Sequence, residues 1–251
     1  MTIPLPIVDS LAFIGESLFG PRQTPEDLFS SLERASVTKS VVAPLRPADY
    51  VLSEANETLA EVVASDPEHR RQLGRIDPNH RDSVAEVHRC HTEFEVSGFY
   101  LNPREEVFAI NGTAARLALE AIAATALPVV VETGVPWVSE ALQVAEVAAR
   151  YPQTPLILTN GGQLNISGLG QEEVFMALRE CPNTYINTGG VYRQDFIEKV
   201  VDLYGANRVL FASCSPTFRP SYEVLRAVGA ALTFSDRRAI LHDTAHALFW
   251  E

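Results

Sequence analysis

Seven of the short apolar runs in this sequence end in residues that can do chemistry. They close on Asp9, on Arg75 with Asp77, on Tyr100 with Asn102, on Glu132 with Thr133, on Thr159 with Asn160, on Asn187 with Thr188, and on Ser213 with Cys214. None of these ends carries a histidine. Glu132 follows the run "PVVV", where partial desolvation lifts a carboxyl toward the range useful for general acid or base work. Arg75 offers a planar fork for a carboxylate, and Asp9, Asp77, Tyr100, Asn102, Thr159 and Asn160 supply the donors and acceptors of a small polar ligand site. The same residue types also describe a satisfied ion-pair network of Arg75, Asp77 and Glu132, and both readings stand at this stage.

Cys214 is a candidate nucleophile if a base activates it, and His80 in "DPNHRDS", on a loop after an apolar run, is the natural partner. Against this, a free cysteine commonly serves as an inert buried hydrophobe, and an exposed loop histidine needs no function. Two further pairs, His88 with His91 and His242 with His246, have spacings that put two imidazoles on one helix face. Each lacks a third ligand, so solvated or packed histidines are expected there. "NGGQLNISGLG", from Asn160 to Gly170, is Gly-rich ahead of a helix but has neither the lysine nor the spacing of a P-loop; it reads as a lid or plain loop.

The elements that must position these residues alternate. Strand candidates run over 6–9, 40–45, 72–77, 98–102, 128–133, 155–159, 184–187 and 208–213. Helix candidates occupy 24–35, 56–64, 81–93, 112–125, 137–150, 170–179, 193–204 and 221–232, and a terminal helix pair follows with Ser235 as its cap. "TPED", "NETLAE" and "SPTFRPSYE" read as helix starts. Eight βα units in 251 residues predict a (β/α)8 TIM-type barrel, one domain over 1–251, with function at the carboxyl ends of the strands.

Composition bounds the partners. With 32 acidic against 20 basic residues the formal charge is −12, which disfavours nucleic acid and anionic membrane surfaces. Three cysteines without framework spacing predict reduced thiols and a cytoplasmic setting. No basic segment followed by a long apolar run marks the opening "MTIPLPIVDS", and no stretch of about 18 apolar residues predicts a membrane span.

The order of "IVDSLAFIG", "GFYLNP", "LPVVVETG", "YPQTPLILTNGG", "CPNTYINTGG", "GANRVLFASCSP" and "FSDRRAILHDTAHALF" resembles the amidohydrolase-related family (amidohydrolase 2), the barrel hydrolases and decarboxylases of the aminocarboxymuconate-semialdehyde-decarboxylase type. The resemblance implies a metal site built on paired histidines of the first strand, histidines of the fifth and sixth strands, and an aspartate of the eighth. In this chain those positions fall on Leu11 and Phe13, on Glu132, on Thr159 (or Asn160 with a one-residue slip), and on Cys214. Two hydrocarbon side chains and a mismatched oxygen and sulfur pair make a poor metal site, so no metal and no cofactor are expected.

Two functions follow. One is a metal-independent hydrolase or lyase acting on a small polar, carboxylated or lactone-type substrate, with Glu132 as acid/base and Arg75, Tyr100 and Asn102 positioning the ligand. Its motive is the resemblance, since some lactone hydrolases of the family work without a metal. The other is a pseudoenzyme that binds a ligand or a partner protein in the vacated mouth, motivated by Leu11 and Phe13. The resemblance also implies a homodimer through outer helices, for which Trp137 or Trp250 is a candidate anchor.

Overall fold

The computed structural model describes residues 5–163 and 168–251, so residues 164–167 of the Gly-rich loop and the first four of the opening segment lie outside the described residues. Nine strands follow one another as β1 (Val8–Glu16), β2 (Arg22–Gln23), β3 (Lys39–Pro44), β4 (Arg70–Arg75), β5 (Gly98–Leu101), β6 (Val129–Val131), β7 (Leu156–Leu158), β8 (Thr184–Asn187) and β9 (Val209–Leu210). The helices are α1 (Pro25–Arg34), α2 (Leu52–Ala64), α3 (Ser83–Thr92), α4 (Arg116–Ala124), α5 (Ala141–Arg150), α6 (Gly168–Glu180), α7 (Gln194–Tyr204), α8 (Pro220–Gly229), α9 (Phe234–Arg238) and α10 (Thr244–Phe249). The strand order is β2-β1-β3-β4-β5-β6-β7-β8-β9, with only the short β2 antiparallel to its neighbour among the described pairings.

Two compact units divide the chain. The first comprises Met1–Gln72 and Asn187–Glu251, the second Leu73–Ile186. In the first, β1 pairs with β3 and β3 with the start of β4. The segment after β9 also bonds to β1, through Ser10 N–H to Phe211 O at 2.9 Å and Phe13 N–H to Ser215 O at 2.8 Å. In the second, the end of β4, then β5, β6, β7 and the start of β8 pair in sequence, with Arg75 level with Tyr100, Tyr100 with Val130 and Leu158 with Ile186.

The structure departs from the sequence expectations where burial overrides local chemistry. The first strand continues past Asp9 to Glu16, and every residue from Val8 to Ile14 is buried, so apolar cover on both faces extends it. Leu11 and Phe13 therefore lie within the strand rather than beyond it. Thr24 caps α1 as expected, accepting from Asp27 N at 3.1 Å with Pro25 in the first turn. "NETLAE" is no helix start: Asn56 is fully buried inside α2, and its carbonyl accepts from Gln72 Nε2 at 2.7 Å. No side chain caps α8, and Thr233 rather than Ser235 caps α9. Helix α5 starts at Ala141 behind a Glu140–Gln143 capping box. Trp137 precedes it and is 85% exposed, whereas Trp250 is packed by His246 and the Lys39 and Arg71 side chains and is no free anchor. Among the described residues no helix is long and apolar enough to cross a membrane.

Candidate active site

The second unit collects most of the predicted site residues. The three valines of β6 are buried, and Glu132 is the first residue past them, its N–H bonded to Leu101 O at 2.9 Å. Thr159 stands at the same level, one residue past Leu158 on β7, because Val131 and Leu158 are register partners. The backbone then turns sharply: Asn160 and Gly161 both take left-handed conformations, φ 54° and 63°. Asparagine and glycine are among the residues that tolerate this region. The turn folds the Asn160 amide back onto Glu132.

Glu132 is held by neutral donors. Asn160 Nδ2 donates to Oε1 at 2.9 Å, Thr159 Oγ1 to Oε2 at 3.0 Å, and Tyr100 OH to Oε2 at 3.4 Å. Burial raises its pKa above the usual carboxylate range; the bonds from Asn160 and Thr159 act against that, and the nearby Glu105 charge adds to it. Tyr100 is buried, and its phenol is pushed well above the usual value by desolvation and then by Glu132. Asn102 Nδ2 donates to Tyr100 OH at 3.1 Å, while its Oδ1 accepts from Glu105 N at 3.1 Å, which settles the orientation of the amide.

Arg75 belongs to an ion-pair network. Its Nη2 bonds to Glu106 Oε1 at 2.7 Å and contacts Glu105 Oε2, and its Nε reaches Glu106 Oε1 at 3.1 Å. The Arg75 and Glu106 side chains are essentially inaccessible, while Glu105 retains about a quarter of its exposure, 24%. Desolvation works against the guanidinium charge, but Glu106, Tyr100 and Glu105 outweigh it and its pKa is raised. Sequence reasoning named Asp77 and Glu132 as the acids of such a network and missed these two glutamates. The available signal was the acidic pair in "NPREE", directly after the β5 strand end. Asp77 instead shapes its own turn, accepting from Asn79 N at 2.9 Å.

The remaining candidates lie elsewhere. His80 is exposed, and its Nδ1 accepts from Asp82 N at 3.3 Å. Cys214 falls in the other unit, buried, with a left-handed φ of 50°. Its N–H bonds to Leu11 O at 2.8 Å, and its sulfur fills the space a side chain on Gly189 would need. Asp9, also in the first unit, is fully buried and accepts from Ser213 N at 2.8 Å, Ser213 Oγ at 2.5 Å and Leu11 N at 3.2 Å. Ser213 Oγ accepts from Ser215 N at 3.1 Å and Ser215 Oγ donates to Gln23 Oε1 at 2.8 Å, so Asp9 heads a buried chain tying β1 to the segment after β9. His242 and His246 stack on each other with centroids 5.1 Å apart.

A parallel βα succession with polar strand ends, preserved over nearly the whole length, has a counterpart among known sequences: a family model described as amidohydrolase matches residues 13–249. The chain belongs to the amidohydrolase family. No curated protein matches it in sequence. The 5-carboxyvanillate decarboxylase of Sphingomonas paucimobilis is similar in structure, with a TM-score of 0.79, 14% identity, and 98% of this chain and 99% of that one covered. So is the dihydroxybenzoic acid decarboxylase of Polaromonas sp. JS666, determined with bound manganese and the inhibitor 2-nitroresorcinol (TM-score 0.75, 16% identity, 98% and 97% covered). A third is the probable 2-pyrone-4,6-dicarboxylic acid hydrolase of Acinetobacter baumannii, determined with citric acid bound (TM-score 0.75, 12% identity, 98% and 100% covered). At these identities the likeness establishes the (β/α)8 fold.

Manganese in one of these structures raises the question whether this amidohydrolase-family chain could hold a metal in the same way. Its donor chemistry does not fit. Leu11 and Phe13 present buried hydrocarbon where the family resemblance places imidazoles. Thr159 offers a hydroxyl already engaged with Glu132 and Thr133, and Glu132 is bonded to neutral donors. Among the described residues no group of three or more His, Cys, Asp or Glu is placed to hold a metal ion.

Proposed function

We propose that this amidohydrolase-family chain is a metal-independent hydrolase or lyase whose proton-transfer group is Glu132. The observation that carries this reading is the environment of that carboxylate. It is only partly exposed, it ends a buried strand, and the side chains that bond it are a hydroxyl, a phenol and an amide rather than a cation. Burial lifts its pKa above the usual carboxylate range, the direction that suits a group that must both take and return a proton. Asn160, Thr159 and Tyr100 orient it, and Asn102 orients Tyr100.

Of the substrate classes raised by the sequence, an uncharged lactone or related carbonyl compound is the better fit. The Arg75 fork is engaged by Glu106 and Glu105, so it has carboxylate partners of its own. The probable 2-pyrone-4,6-dicarboxylic acid hydrolase among the similar structures is named for a cyclic ester that carries two carboxyl groups, so it adds weight to the lactone class, and the uncharged form rests on the Arg75 pairing alone.

The test is Glu132→Gln, which preserves shape and removes the titrating group. We expect kcat/KM toward simple lactones to fall by about 100-fold or more. An unchanged rate removes Glu132 from the mechanism, and stoichiometric zinc or manganese in active protein purified without added metal overturns metal independence.

A further inference from the structure

The hydrogen-bond roles around Glu132 are fixed by their neighbours, and they treat its two oxygens differently. Asn102 Oδ1 accepts from Glu105 N, so its amide nitrogen faces Tyr100 and donates to the phenol oxygen. Tyr100 has one hydroxyl hydrogen, which is thereby directed to Glu132 Oε2. Thr159 Oγ1 already accepts from Thr133 N at 3.1 Å and from Asn160 Nδ2 at 3.0 Å. Its hydrogen also goes to Oε2. A carboxylate oxygen has two acceptor positions, and on Oε2 one is taken by the Thr159 hydroxyl at 3.0 Å while the Tyr100 hydroxyl is directed at the other from 3.4 Å. On Oε1 one position is taken by Asn160 Nδ2, and the other has no partner among the described residues.

From this asymmetry we infer that Glu132 exchanges its proton with the substrate through Oε1 alone, and that Tyr100 and Thr159 are positioning residues that commit Oε2. The inference rests on Glu132 being the proton-transfer group. It adds where the reacting atom must sit: on the Asn160 side of the carboxylate, within hydrogen-bond reach of Oε1. Both positioning hydroxyls favour the ionised carboxylate. Removing either one raises the proton affinity of Glu132, more for Thr159 at 3.0 Å than for Tyr100 at 3.4 Å.

The experiment compares wild type, Tyr100→Phe, Thr159→Val and Thr159→Ser in the full chain. One readout is the pH dependence of kcat/KM toward δ-valerolactone; the other is a carbon-13 titration of the Glu132 carboxyl, which needs no turnover. Expected is a rise of about threefold to tenfold in proton affinity for Thr159→Val, a smaller rise for Tyr100→Phe, and a wild-type position of the limb for Thr159→Ser, which keeps the hydroxyl. Titrations that coincide with wild type in both Tyr100→Phe and Thr159→Val overturn the assignment, as does a structure with δ-valerolactone in which ligand or water bonds to Oε2. If Glu132→Gln keeps full activity while the carboxyl titrations move as expected, the bonding asymmetry stands and the catalytic reading fails; the two failures are therefore distinguishable.

Discussion

Asp9 couples the stability of this protein to pH in a direction opposite to that of an ordinary paired carboxylate. It is fully buried, and desolvation raises its pKa from 3.8 to about 7, against the bonds from Ser213 and Leu11 and with a smaller push from the Glu223 charge. The folded state therefore binds this proton more tightly than the unfolded chain. Where the folded pKa of an acid is raised, stability is fully present below the unfolded value and is lost as pH rises toward the folded one. At 1.36 kcal/mol per pKa unit, the loss between pH 4 and pH 8 is about 4 kcal/mol from this residue. Asp9→Asn resembles the protonated form: its oxygen still accepts from Ser213 N and Leu11 N, and its amide can donate to Ser213 Oγ. Urea denaturation of both proteins across this range should give a difference that grows with pH, the wild type losing about 4 kcal/mol relative to Asp9→Asn. Glu132, also raised by burial, titrates in both proteins and cancels in the difference, and Glu223 leaves only its small coupling to Asp9. Parallel stability curves would refute the account of Asp9 as a buried acid neutral below neutrality.

Two further substitutions probe packing, one in each unit. Gly189→Ala places a methyl 2.3 Å from Cys214 Sγ, and we expect a loss of about 1–3 kcal/mol by denaturation, with Gly189→Ala/Cys214→Ala recovering most of it. Arg75→Met leaves the buried Glu106 carboxylate without its guanidinium and should cost about 3–5 kcal/mol, while Arg75→Met/Glu106→Gln costs less; equal losses in the two proteins would show that the ion pair is not what makes Arg75 matter.

How far the sequence carries depends on whether a feature is local. The βα alternation is legible because apolar runs bounded by Gly, Pro and Asn have a periodicity that needs no tertiary context, and Thr24 with Pro25 marks a helix start by its own chemistry. Asn56 misleads because burial, not capping, decides its place inside α2. Leu11, Phe13 and Thr159 can be read by residue type alone as side chains standing where the family resemblance implies imidazoles. Glu105 and Glu106 escape notice because their partner, Arg75, is 30 and 31 positions away, and only the pairing of β4 with β5 and the turn after Asn102 bring them to its guanidinium.

By itself, then, the sequence determined the repeating elements, the acidic balance and the absence of imidazoles at the strand ends, all of them properties of single residues or short windows. Tertiary structure alone decided what those strand ends do to one another. Through strand register it set Thr159 level with Glu132, turned Asn160 back through a left-handed bend, and aimed Tyr100 at the same carboxylate. Proton affinity and hydrogen-bond direction depend on distances between side chains from different strands, and those distances exist only once the sheet has formed.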